Sequence, residues 1–354
     1  MSTGRRLLAT TAFGLAVLFV VVVVVFGFPT LWGDDDSSSA YRPCQPRAQD
    51  VLLPFGLESA AGRWERHAPF PIAQDELRAE VVGDTVYVGT GLVHAGANLV
   101  STNVLVAFDP ERSTYRRLPG LPRRIDHAGL VAAGGELYLI GGFRDWRPTA
   151  EVWKLSPDTG AWTELAPMEV PRGSPAAAAI GGKIYVAGGA AGQDAREPTG
   201  VVEVFDLATG RWTRGPEMPT ARHHAGAAAV GGQLYVVGGR GRRDLSLDVV
   251  ERLDPQSGQW QALPPLPLGA GGLAVVAAGG RVIAISGGDD GGEGWVTPAT
   301  WAFDPASSRW QRLADLQTPR HGHAAAAFGG KLYVFGGAPC PDYGLTDSVE
   351  SLEL

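Results

Sequence analysis

Cysteine is scarce in this sequence: Cys44 and Cys340 are the only two in 354 residues. Clusters of basic residues are missing as well. The formal charge is −7, and no run of Lys and Arg offers the surface that tracking a phosphate backbone requires, which argues against nucleic acid as a partner. There is no Gly-x-Ser-x-Gly elbow, no phosphate-binding loop and no His-Glu-x-x-His, so common signatures of serine hydrolases, nucleotide enzymes and zinc proteases are lacking. Nothing calls for a cofactor. One further absence is local. Residues 7–32, LLATTAFGLAVLFVVVVVVFGFPTLW, hold no charged side chain.

A bilayer is spanned by about 20 apolar residues, and a cleaved signal peptide has a shorter apolar region of about 7–15. Ser38-Ser39-Ala40 offers a small-residue cleavage site, but well beyond the run, and no cysteine follows the run in a lipoprotein-like setting. The run is therefore read as an uncleaved signal anchor, one transmembrane helix. Arg5 and Arg6 precede it and Asp34, Asp35 and Asp36 follow. The positive-inside rule then leaves residues 1–6 in the cytoplasm and sends the rest outside, as a single-pass protein of the cell membrane. Beyond the anchor the chain carries 28 basic and 37 acidic residues, a charge of −9. Residues 33–61 read as an extracytoplasmic linker, with the apolar island VLLPFGL at 51–57 packing on the outside of the folded domain.

Glycine and proline are abundant, 49 and 26 residues, and are spread through regular turns rather than pooled. They punctuate a repeat. ARHHAGAAAVGGQLYVVGG from Ala221 returns as PRGSPAAAAIGGKIYVAGG from Pro171 and PRHGHAAAAFGGKLYVFGG from Pro319. Weaker copies begin at Asp126 and Gly269, and a worn one at Leu77. Each copy reads as two strands joined by a Gly-Gly turn, a small-residue run followed by a β-branched and aromatic one. A second glycine doublet ends the pair and admits close backbone approach. A third strand and an aromatic-centred fourth follow. The fourth-strand aromatics are Trp64, Tyr115, Trp162, Trp212, Trp260 and Trp310, at intervals of 51, 47, 50, 48 and 50 residues.

That period, the paired doublets, Tyr138, Tyr185, Tyr235 and Tyr333 between them, and the later Trp resemble the kelch-repeat family over residues 62–354. The resemblance implies an all-β fold, a six-bladed β-propeller. Closure can be read from leftovers. GRWERHAPFP at 62–71 matches the fourth strand GRWTRGPEMP at 210–219, yet no first three strands precede it. The last copy ends after its third strand, SVESLEL. The N-terminal strand is thus expected to complete the last blade, which removes exposed sheet edges.

In such blades the first strand lines a central channel, and the fourth-to-first junctions share a face with the second-to-third loops. Loops on that face, at 91–103, 143–148, 190–200, 240–245, 289–298 and 338–346, are where binding is sought. The junctions place Arg172, Arg222 and Arg320 at equivalent positions, nine residues before a glycine doublet, with Arg124 near the corresponding place in another blade. The resemblance implies that such arginines bind carboxylates of acidic ligands. The alternative is that they are turn residues bonded to neighbouring carbonyls. His127, His223, His224, His321 and His323 cluster at the same junctions, and His223 and His321 join the candidate ligand-binding set. No carboxylate or cysteine stands at ligand spacing from them, so no metal is expected. The acidic, Gly-rich stretch 289–295 lacks the spacing of a calcium loop. Trp146 and Trp295 lie in loops and can present an aromatic face to a sugar or peptide.

A kelch propeller also carries galactose oxidase, but its copper site needs a Tyr cross-linked to a Cys, and neither cysteine here lies in a channel-facing strand. Two cysteines beyond the anchor in an oxidising compartment are expected to form a Cys44–Cys340 disulfide. The reading that emerges is a membrane-anchored, extracytoplasmic, non-catalytic recognition module whose partner is a surface or envelope protein or an acidic glycan. The alternative is a carbohydrate-active enzyme resembling the sialic-acid mutarotases. Converging Arg, Glu and aromatic groups at an open channel mouth favour the enzyme, and a channel packed by small side chains favours the scaffold.

Overall fold

The computed structural model describes residues 62–192, 197–289, 294–340 and 344–354. The apolar run 7–32, the linker 33–61 with Cys44, and residues 290–293 of the acidic loop lie outside them. Among the described residues no helix is long and apolar enough to cross a membrane.

Six four-stranded antiparallel sheets follow one another along the chain. Their first strands are Arg78–Val82, Gly129–Ala133, Ala176–Ile180, Gly226–Val230, Ala274–Ala278 and Ala324–Phe328, which number blades 1 to 6. Blade 3 shows the pattern. Ala176–Ile180, Lys183–Ala187, Val202–Asp206 and Arg211–Arg214 pair in sequence order, with Ala178 opposite Tyr185 and Tyr185 opposite Val204. The first hairpin turns at Gly181 and Gly182, with φ +57° and +77°. A two-residue turn of this hand needs positive φ at both positions, which glycine adopts at no steric cost. The later doublet does different work. A Cβ on Gly188 would lie 2.5 Å from the carbonyl oxygen of Arg222 in the next blade. Its neighbour Gly189 donates its N–H to that same carbonyl at 2.9 Å. The doublet is where one blade's backbone is stitched to the next.

Closure follows the expected route. Glu65–Arg66 pairs with the last strand, Val349–Glu353, with Glu65 opposite Ser351 and Arg66 opposite Glu350. The Phe70 N–H extends the contact to the Asp347 carbonyl at 2.7 Å. Each of the six blade-to-blade interfaces holds a buried apolar cluster. At the closing interface Phe108 of blade 1 meets Phe335 of blade 6 edge-to-face at 5.3 Å. The periodic aromatics also join neighbours. Trp212, Trp260, Trp310 and Trp64 each donate their indole N–H to a carbonyl of the preceding blade, at Ala166, Pro216, Pro264 and Ala314, over 2.7–3.0 Å. Tyr115, in the Trp position of blade 1, does the same through its hydroxyl to Ala68 at 2.8 Å. Tyr in place of Trp thus keeps the bond.

Candidate functional site

Arg172, Arg222 and Arg320 do not form a ring of guanidinium groups at the channel mouth. All three are buried, at 0, 1 and 0 % exposure. Each points into its own blade, where it pairs with a third-strand glutamate: Arg172 with Glu203, Arg222 with Glu251 at 2.5 Å, and Arg320 with Glu350. Most of the remaining donors of Arg172 and Arg320 go to backbone oxygens. Arg320 reaches Thr318, Gly336 and Ser348 over 2.9–3.0 Å, and Arg172 reaches Val170, Gly188 and Val201 over 2.7–3.2 Å. The glutamates in turn accept N–H groups of the incoming junction, Gln317 and Thr318 on Glu350 at 2.8 and 3.1 Å. Burial pushes the Arg320 guanidinium down to about 10 and Glu350 opposes it, so the group stays charged at neutral pH. These arginines brace the junctions.

Two residues beyond each of these positions the chain turns left-handed. Glu76, His127, Ser174 and His224 have φ between +49° and +54°, and Gly272 and Gly322 have +63° and +60°. These six residues each stand two before a first strand, one per blade, and they ring the axis. Ser174 N–H donates to the His127 carbonyl at 2.7 Å, His224 to Ser174 at 3.3 Å, Gly272 to His224 at 3.0 Å and Gly322 to Gly272 at 2.8 Å. Leu77 N–H closes onto Gly322 at 3.2 Å. The remaining link, between blades 1 and 2, is made by side chains: His127 Nε2 lies 3.4 Å from Glu76 Oε2.

The polar side chains of this ring and of the residues just before it converge. Asp75 and Glu76 are 0 and 3 % exposed, and a Cβ on Gly322 would fall 1.9 Å from an Asp75 carboxylate oxygen. The missing side chain there is what lets blade 1 place its carboxylates beside blade 6. Burial and then the adjacent Glu76 push Asp75 up to about 7. Burial works against the Glu76 carboxylate too, but His127 and Arg78 outweigh it and hold it below its ordinary value. Burial opposes charge on His127, yet Glu76 and Asp126 raise it, and Asp126 Oδ1 lies 2.5 Å from His127 Nδ1. Burial, with Arg240 and His223 near, holds His224 well below its ordinary value. His223 Nδ1 and His224 Nδ1 are 2.5 Å apart. His223 Nε2 lies 3.3 Å from Asp244 Oδ1.

Two sets of donor atoms come within 4.8 Å of one another: Glu76, His127 and His224, and Asp75, Glu76 and His321. Carboxylates therefore do complete the histidine cluster, contrary to the expectation from spacing along the chain. They arrive from blade 1, whose junction is the least regular. Glu76 could have been found by aligning the repeats, since it stands 51 residues before His127. Of the other candidates, His223 and His321 belong to this cluster, whereas Arg124, Trp146 and Trp295 enter neither set. Arg124 and Trp146 are exposed, Trp146 at 54 %, while Trp295 is half-buried in the strand Trp295–Val296. His223 and His321 are buried, and His321 Nε2 lies 3.2 Å from the Cys340 carbonyl. Cys340 is disulfide-bonded. Beneath the ring runs the central channel, a cavity of about 310 Å³ walled largely by Ala, Gly and Val of the first strands, with Arg78, Glu80 and His323 its ionisable lining.

Six four-stranded sheets ringed about an axis and stitched at glycine doublets define a six-bladed β-propeller. Two kelch profiles match the chain: the KLHDC2/KLHL20/DRC7 Kelch-repeats domain over residues 168–337 and the Kelch motif over 126–169. The chain belongs to the kelch-repeat family. It is similar to Kelch-like protein terF of Aspergillus terreus, 29% identical over 152 residues, covering 39% of this chain and 33% of that protein. An F-box/kelch-repeat protein of Arabidopsis thaliana is 26% identical over 161 residues, 45% of this chain and 31% of that protein. Kelch-like ECH-associated protein 1A of Danio rerio is 33% identical over 111 residues, 30% and 18% of the two chains. The chain spans about a third or less of the length of these curated relatives.

Proposed function

We propose that this propeller is a non-catalytic protein-recognition module, and that the apolar run 7–32 anchors it in the membrane with the propeller outside the cytoplasm. The observation that carries the recognition reading is the pair of exposed apolar residues Trp146 and Leu245, at 54 and 53 %. Both sit in second-to-third-strand loops, flanked by exposed arginines: Arg144 and Arg147 beside Trp146, Arg242 and Arg243 beside Leu245. Trp and Arg dominate the energetics of protein interfaces, because they bury area and retain a directional polar group. Such a surface suits an acidic partner, a surface or envelope protein in preference to an acidic glycan. The mutarotase-type alternative is not favoured, because the channel wall is mostly small apolar side chains and the family arginines are spent inside the blades.

The test is cross-linking from a photoreactive residue at position 146 in the full chain in its native membrane. A discrete protein adduct, reduced at least tenfold by Leu245→Asp with Arg243→Glu, is expected. Adducts only to glycan, or a pattern unmoved by those changes, would overturn the protein reading. Protease added outside intact cells should digest the propeller; full protection would refute the topology.

A further inference from the structure

We propose that Glu76, His127 and His224 form a binding site for a divalent first-row transition metal of the zinc class, on the axis of the propeller at the loop-face end of the channel. Two imidazoles and a carboxylate suit zinc and its neighbours better than calcium or magnesium, which take oxygen ligands. The three residues come from blades 1, 2 and 4 and hold equivalent left-handed positions in the axial ring, which the backbone hydrogen bonds keep in place. Their donor atoms lie within 4.8 Å of one another. Ligands about 2.0–2.1 Å from a tetrahedral metal stand about 3.3 Å apart. His127 Nε2 and Glu76 Oε2, at 3.4 Å, already have that spacing, so only His224 has to close in.

The second observation is the arrangement behind the ligands. His127 Nδ1 faces Asp126 at 2.5 Å, and the other Asp126 oxygen accepts the Ser101 hydroxyl at 2.6 Å. A carboxylate on Nδ1 draws the ring proton there and leaves the Nε2 lone pair for a metal, the support that metal-bound histidines ordinarily have. His224 is set by a neighbouring ring: in the proposed site the proton between His223 Nδ1 and His224 Nδ1, 2.5 Å apart, sits on His224. His224 Nε2 is then left with its lone pair. Ser174 holds the ring position between His127 and His224, and its buried hydroxyl makes no hydrogen bond among the described residues. Three protein ligands leave a fourth position for water or an exogenous donor.

The experiment uses the full chain, stripped with a chelator, desalted, and titrated with zinc against a chromophoric competitor. One zinc per chain is expected, with His224→Gln and His127→Gln each weakening affinity at least tenfold. Asp126→Asn, which touches no metal, should weaken it about 10–100-fold. His321→Gln should leave it unchanged. Cobalt in place of zinc should give the intense visible bands of a four-coordinate ion, lost in His224→Gln. Absence of binding at micromolar zinc would overturn the proposal. So would affinity insensitive to His224→Gln, or loss through His321→Gln alone, which would place the ion on Asp75 and His321 instead. Should His127→Gln fail to fold, His224→Gln, whose side chain pairs with no carboxylate, still decides the matter.

Discussion

Arg320 and its equivalents have one correlate along the chain. Blades 3, 4 and 6 carry Arg172, Arg222 and Arg320, and each also carries the glutamate that receives it, Glu203, Glu251 and Glu350. In blades 1, 2 and 5 the arginine position holds Gln74, Ile125 and Ala270, and the glutamate position holds Val106, Trp153 and Trp301. The two residues are present together or absent together, as expected when a lone buried charge costs more than the pair contributes. Arg320→Ala should therefore cost about 3–5 kcal/mol, because Glu350 is left buried with half its partners gone. Urea denaturation measures it, and a loss below about 1 kcal/mol would show that the bracing role is wrong. Glu80 supplies a pH-dependent counterpart. It lines the channel, and burial pushes its carboxyl from 4.5 up to about 8 against the N–H groups of Ala132 and Val81. The folded state then holds a proton that the unfolded state has released, so its stabilising share is complete below about pH 4.5 and is lost as pH rises through about 8. Glu80→Gln should flatten the fall in urea midpoint between pH 5 and 9 and should raise the midpoint at pH 9. An unchanged slope would mean that the channel wall keeps Glu80 as well solvated as in water.

At the scale of the strand, closure rests on a short segment. Only Glu65 and Arg66 pair formally with the last strand, yet the same segment buries Trp64 completely and Phe70 to 2 %. Trp64 packs with Leu332, Val334 and Leu352 of blade 6 and with Ile283 of blade 5. Side-chain burial, more than two residues of ladder, holds the ring shut. Trp64→Ala should cost about 3–5 kcal/mol. Removing residues 62–71 altogether should leave the edge of Val349–Glu353 unpaired and produce oligomers on size-exclusion chromatography. A monomeric deletion variant with an unchanged Tm would contradict closure by this strand. The glycine doublets behave as a second kind of element. Where blade 5 has Ser286 in the first position, φ is still +53°, and the hydroxyl oxygen lies 2.5 and 2.6 Å from the Thr297 and Arg320 carbonyl oxygens, one of which accepts its proton. The conformation is imposed by the neighbouring blade, and the side chain adapts to it.

On the scale of the whole molecule, Cys340 is buried and disulfide-bonded, and Cys44, outside the described residues, is the only other cysteine in the chain. We expect mass mapping of unreduced protein to find a single Cys44–Cys340 peptide, joining the linker to the blade that the N-terminal strand completes. Free thiols at both positions after preparation from an oxidising compartment would refute it. The sequence by itself determined the blades. Strand alternation and the glycine doublets are local signals, because side-chain period and turn hand depend only on neighbours along the chain. The closing strand was equally legible, as a fourth strand without its first three. Only the tertiary structure decided where the junction side chains go. Arg172 and Glu203 are 31 residues apart, and an arginine at a loop reads alike whether it faces solvent or folds back onto a strand. The repeated Val-Glu of the third strands, at Val202-Glu203, Val250-Glu251 and Val349-Glu350, was the available signal that it folds back. The axial cluster was less accessible still. Asp75 and Glu76 lie in the most worn repeat, and they reach His127, His224 and His321 only because closing the ring brings the first and last blades together around one axis.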